Sequence, residues 1–215
     1  GTTIAGGTGT TDSMILLAGS GVSTGGGTTG TATLTGTTRI DSITVLAGKD
    51  AGDDITLNLG AYGTDLTVNA AALQAGGITN DTGSILTLTT TSTKAMTVTG
   101  GAGRDIITTG LGNDVIDGGA GNDTISSGGG NDTLTGGAGN DTFTMAGNLT
   151  SADTIDGGDG TDTLTVTTIS ASALANVTNV ENLGVTGAST VSVISNLSFD
   201  TIDLSDASTQ SLTFA

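Results

Sequence analysis

Aspartates recur every nine residues at Asp105, Asp114, Asp123, Asp132 and Asp141, and each closes a glycine-rich turn. The first unit reads Gly100-Gly101-Ala102-Gly103-Arg104-Asp105-Ile106-Ile107-Thr108, and four more begin at Thr109, Gly118, Ser127 and Gly136 without a gap. Carboxylates in turns that also expose carbonyl oxygens suit a hard divalent cation, and calcium takes about six to eight such ligands. Other chemistry is excluded by what is missing. The chain has no His and no Cys, so it offers neither a Ser-His-Asp triad nor an ordinary zinc or thiolate site. Gly21-Val22-Ser23-Thr24-Gly25 matches the G-x-S-x-G elbow of esterases, but without histidine it is read as chance in a Gly/Ser/Thr-rich chain. None of the acidic runs has the D-x-[DN]-x-[DN]-G core of an EF-hand.

The elements that must position these aspartates follow from the same period. Apolar residues recur in step at Ile107, Ile116, Ile125, Leu134 and Phe143. Each unit is therefore a six-residue turn followed by a three-residue strand with one inward side chain. Glycine enters the left-handed region at no steric cost, and Asn113, Asn122, Asn131 and Asn140 occupy the position where asparagine tolerates it best. Two units make one coil of eighteen residues, which stacks Asp105, Asp123 and Asp141 on one edge and Asp114 and Asp132 on the other. After Thr144 the phase slips by three residues, Met145-Ala146-Gly147, read as a bulge or widened turn. A degenerate unit keeps Asp153 and Ile155, and a good unit runs from Gly157 through Asp162 and Leu164 to Thr165.

Coils in such a sheet lie ~4.8 Å apart, and carboxylates stacked at that spacing repel by ~1 kcal/mol per pair in water, more when partly buried. Ten aspartates lie between Gly100 and Thr165, with Arg104 the one basic residue among them. One inward apolar residue per nine is also a thin core against the entropy of ordering glycine-rich turns. This segment is therefore expected to be disordered without calcium and to fold on binding it.

These repeats resemble the RTX family of secreted bacterial proteins. The resemblance implies an all-β, right-handed parallel β-roll or β-solenoid with calcium-binding turns, export by type I secretion, and folding outside the cell. It implies that each ion takes the aspartate and the carbonyls of positions one and three from one unit. Carbonyls two and four and the aspartate come from the unit eighteen residues on. Carried over, one site uses Gly100, Ala102 and Asp105 with Gly119, Gly121 and Asp123. A second uses Thr109, Leu111 and Asp114 with Gly128, Gly130 and Asp132. A third uses Gly118, Ala120 and Asp123 with Gly137, Gly139 and Asp141. Two more pair Asp132 with Asp153 and Asp141 with Asp162 across the slip. Arg104, at the usual asparagine position, is expected to weaken the first site by its charge.

The chain divides by composition into a Thr/Gly-rich β region (1–99), the calcium-binding roll (100–165) and a β-rich continuation (166–215). Short alternating runs such as Ile55–Leu59, Leu66–Val68, Ile85–Leu88, Leu183–Val185, Val191–Val193, Ile202–Leu204 and Leu212–Phe214 read as strands of a solenoid or sandwich. Ser170–Val180 is the one helix-like piece. Asp50, Asp53 and Asp54 form either a worn repeat or a solvated acidic turn.

The net charge of −17 argues against nucleic acid and anionic membrane surfaces as partners, and no run is long enough to insert in a bilayer. The absence of an initiator methionine suggests a fragment of a larger secreted or cell-surface protein. Three roles fit. One is a structural, self-assembling component of a bacterial surface (S-layer) lattice; the Val180-Glu181-Asn182-Leu183-Gly184-Val185-Thr186 run is similar to strands of RTX-bearing surface-layer proteins. The others are an adhesin segment and the secretion or folding tail of an enzyme, with no catalysis expected within this chain. Ice binding through the third repeat position is disfavoured, because that position holds Ala102, Leu111, Ala120, Gly129 and Ala138.

Overall fold

The computed structural model describes residues 13–17, 30–34, 41–46, 55–59, 64–71, 85–145, 149–168, 170–187, 189–193, 199–204 and 210–214. Gly21–Gly25 and Asp50, Asp53 and Asp54 lie outside them. Nearly all of the described structure is short strand. Numbered in chain order, one sheet contains β1 (Ser13–Leu17), β3 (Ser42–Leu46), β5 (Leu66–Asn69), β7 (Met96–Thr99), β9 (Val115–Ala120), β11 (Thr133–Ala138), β13 (Thr154–Asp159) and β15 (Val177–Thr178). The other contains β2 (Gly30–Leu34), β4 (Ile55–Leu59), β6 (Leu86–Thr90), β8 (Ile106–Thr108), β10 (Thr124–Ser126), β12 (Thr142–Thr144), β14 (Thr163–Val166), β16 (Asn182–Val185) and β18 (Thr201–Asp203). β17 (Ser189–Val193) and β19 (Gln210–Phe214) pair separately. Successive strands alternate between the two large sheets and every described pairing is parallel. This is a two-sheet β-solenoid. Both sheets run without a break through residues 99–100 and 165–166, the compositional boundaries.

Alternation along each strand builds the core. Ile107, Ile116, Ile125, Leu134, Phe143, Ile155 and Leu164 are each at most 1% exposed, and they continue two columns, one on each sheet, the first containing Leu57 and Leu88 and the second Val98. Outward positions carry short hydroxyl side chains. Thr124, Thr142 and Thr163 align across the second sheet, and Thr108 aligns with Ser126, and Thr144 with Thr165, beside them. The helix-like stretch is one 3-10 turn, Ala171–Leu174.

Two details differ from the nine-residue pattern. Strands β8, β10 and β12 have three residues, but β9, β11 and β13 have six, extending into the next turn. The two edges of the roll are thus unlike. The asparagines of the fifth position are not left-handed either; Asn179 is the non-glycine residue with positive φ among those described. Their side chains bond along the stack instead. Oδ1 of Asn113 accepts the amide of Asn131 at 2.9 Å, and Oδ1 of Asn122 accepts that of Asn140 at 2.7 Å.

Candidate metal centre

The register turns the repeated aspartates into two ladders. On the first edge the amides of Asp105, Asp123 and Asp141 donate to Oδ1 of Asp123, Asp141 and Asp162, each at 2.7 Å. On the second edge the amides of Asp114 and Asp132 donate to Oδ1 of Asp132 and Asp153 at 2.9 and 2.8 Å. Each ladder starts one coil earlier, where Leu86 and Met96 donate to Oδ1 of Asp105 and Asp114. The three-residue slip leaves both ladders in step: Leu134 pairs with Ile155 and Phe143 with Leu164. The extra length is taken up between Met145 and Asp153, where Met145 and Leu149 are buried.

All seven repeat aspartates are at most 2% exposed, whereas Lys94 and Arg104, the described basic residues, are exposed. Aspartate is almost never buried so completely without a partner. The second carboxylate oxygens decide what that partner is. Asp105 Oδ2 accepts the amide of Gly101 at 2.6 Å, and Asp153 Oδ2 accepts the amide and hydroxyl of Thr150 at 2.7 and 3.1 Å. Oδ2 of Asp114 and of Asp162 is buried with no hydrogen-bond partner. Such an oxygen is costly unless a cation meets it. Burial pushes the carboxyls of Asp114, Asp132 and Asp162 above the ordinary value of 3.8, against the pull of their amide bonds; the charges of Asp132, Asp153 and Glu181, respectively, add to the rise.

The turns supply the remaining oxygens, and the direction of each carbonyl is visible from what it touches. A Cβ added at Gly119 or Gly121 would strike the carbonyl oxygen of Gly101 or Gly103, and one at Gly137 or Gly139 that of Gly119 or Gly121. Carbonyls two and four therefore face the following coil. Carbonyls one and three face the preceding one: Gly118 O abuts Gly100, Gly136 O abuts Gly118, and Ala138 O accepts the amide of Gly121 at 2.7 Å. Glycine is required at these close approaches, most of all at Gly119 and Gly137, where φ is +103° and +111°.

The gap between Asp123 and Asp141 is thus faced by the carbonyls of Gly119, Gly121, Gly136 and Ala138 together with the two aspartates. The resemblance pairs the same positions in the opposite order along the axis. It groups Gly118 and Ala120 with Gly137 and Gly139, and Gly100 and Ala102 with Gly119 and Gly121, across single gaps. In the structure, Gly119 and Gly121 face forward to Gly137 and Gly139, away from Gly100. In the gap before them, Gly101 and Gly103 face Gly119 and Gly121. On the second edge Gly110 and Gly112, not Thr109 and Leu111, face Gly128 and Gly130, and Leu111 is 64% exposed. Chain direction is the signal that spacing lacks: a nine-residue period is the same read from either end.

Among the described residues no three acidic side chains converge on one point. An ion between coils must therefore take most of its ligands from backbone carbonyls, with one or two carboxylates. That donor set is all oxygen, acidic and flexible in number, and it fits calcium. Bound there, such an ion would neutralise the stacked carboxylates. The pair Asp132–Asp153 is the least suited, because Thr150 already holds the second oxygen of Asp153 and the turn before it lacks the repeat glycines.

A family model of the RTX calcium-binding nonapeptide repeat, in four copies, matches residues 97–125, 109–143 and 149–166, under a third of the chain. No curated protein matches the chain, and no solved structure does.

Proposed function

We propose that this calcium-binding RTX-repeat chain is a structural component of a bacterial cell surface, secreted and stiffened by calcium outside the cell, and that it assembles into a lattice. Continuity carries this reading. The calcium-binding coils lie in the middle of a solenoid whose sheets run on in both directions, from β5 and β7 before them to β16 and β18 after them. Calcium there stiffens a rod; a secretion tail would instead be expected to hang as a separate unit on a catalytic domain. The outward columns of Thr and Ser offer flat polar faces suited to side-by-side packing. No catalytic role is proposed, because the chain has no histidine or cysteine and its repeat carboxylates are committed to the ladders. No helix among the described residues is long and apolar enough to cross a membrane.

Electron microscopy of the purified chain with and without millimolar calcium tests the proposal. Ordered sheets that form with calcium and disperse in chelator are expected. Isolated rods at every protein and calcium concentration would overturn lattice assembly and favour an adhesin stalk.

A further inference from the structure

The first-edge ladder does not stop at the last repeat. The amide of Asp162 donates to Oε2 of Glu181 at 2.7 Å, the same distance at which the preceding first-edge amides reach Asp123, Asp141 and Asp162. The register agrees: Thr163 pairs with Asn182, which sets Glu181 beside Asp162. Glu181 is the one glutamate in the chain. It lies beyond the matched repeats, at the end of a turn with no repeat glycines. Asp156 pairs with Thr178, so Asn179-Val180-Glu181 stands where the preceding coil has the six residues Gly157–Asp162. With the turn shortened, the extra methylene of glutamate lets a carboxylate reach the same amide.

The gap before this turn has the features of the repeat gaps. Asp162 is fully buried and its Oδ2 has no hydrogen-bond partner. Asn179 O abuts Gly157 from the far side, as Gly118 O abuts Gly100 and Gly136 O abuts Gly118. Asn179 is held with φ +51°, and its side-chain amide donates to Oδ1 of Asp156 at 2.8 Å. By the alternation of the preceding turns, the carbonyls of Gly158 and Gly160 face this gap, and the short turn has no glycines to cover them. The Glu181 carbonyl accepts the amides of Asp200 and Thr201 at 2.7 and 3.0 Å, which anchors its backbone to the next coil.

We infer that a further calcium ion closes the C-terminal end of the first-edge ladder, held by the carboxylates of Asp162 and Glu181 with the carbonyls of Gly158, Gly160 and Asn179. This inference rests on the repeats themselves binding calcium. It extends the metal row past the last recognisable repeat and explains how the orphaned oxygen of Asp162 is met.

The test is the number of calcium ions bound per chain, by equilibrium dialysis of the whole chain, for wild type, Glu181→Gln, and Asp200→Asn as a control for loss of a nearby exposed carboxylate. Glu181→Gln is expected to bind one ion fewer, with unchanged β content by circular dichroism in millimolar calcium, while Asp200→Asn matches wild type. Equal counts in wild type and a folded Glu181→Gln would overturn the site. Should Glu181→Gln not fold, Glu181→Asp decides: weaker binding of one ion supports the site, and an isotherm identical to wild type overturns it. A wild type that binds no calcium at all would instead sink the repeat reading, a different result.

Discussion

The coils before residue 97 and those of the repeats after it share one solenoid but differ in length. Ser42 pairs with Thr67, Leu66 with Met96 and Ile55 with Leu86, so the early coils take 25, 30 and 31 residues. Thr97 pairs with Val115 and Ile106 with Thr124, and there a coil takes 18. The early strands bury several side chains each, such as Ile55, Leu57 and Leu59 on β4, whereas β10 buries Ile125 alone. A long coil has room to build a core on which it can stand. The 18-residue coils bury fewer apolar side chains per strand and stack buried carboxylates instead. In these two stretches one backbone architecture combines longer coils with more apolar burial, and 18-residue coils with stacked buried carboxylates.

The sharpest way to break this comparison is to remove a carboxylate that serves two gaps. Asp123 lies between Asp105 and Asp141 on the first edge, and Asp123→Asn is expected to raise the calcium concentration for half-maximal folding ~10-fold or more, read by circular dichroism during calcium titration. Leu57→Ala, in an early coil, should cost about 2–5 kcal/mol, with a similar loss at low and high calcium by chemical denaturation. If Leu57→Ala instead acted only through the calcium midpoint, the two regions would not differ as described.

Acidity sharpens the same contrast with a smaller effect. The carboxyls of Asp114, Asp132 and Asp162 sit above 3.8 in the fold because they are buried. The metal-free fold therefore binds protons more tightly than the unfolded chain, and its stability falls as pH rises from 3.8 through the raised values. Without calcium, acidification from pH 7 towards 4 should increase β content. With calcium, the same change should weaken metal binding, since the ion needs the carboxylates ionised. Calcium-free β content that falls on acidification would contradict this. The smallest effect is expected at the asparagine ladder, where Asn122→Ala removes the acceptor for Asn140 and should cost about 1 kcal/mol, measured by thermal unfolding in calcium.

Much of this is legible in the sequence. The nine-residue period puts Ile107 through Phe143 in the core and sets Asp105, Asp123 and Asp141 on one edge, because period alone determines both. The slip at Met145 could be seen but not resolved: whether Asp141 meets Asp162 depends on where three residues are absorbed, a tertiary matter. The asparagines depart from the sequence expectation for a related reason. Their intrinsic tolerance of positive φ is a local preference, and hydrogen bonds between coils prevailed over it. Glu181 gives no repeat signal in the sequence although it stands nineteen residues after Asp162; without glycines the turn around it does not look like a repeat. The early coils, with no fixed period, show their strands by alternation but not their register.

Hydrogen exchange read by mass spectrometry, in millimolar calcium and in excess chelator, tests the central claim most directly. Amides between residues 105 and 165 should lose nearly all protection in chelator, while those of β4 and β5 retain most of theirs. Equal protection of both segments, with and without calcium, would contradict the account.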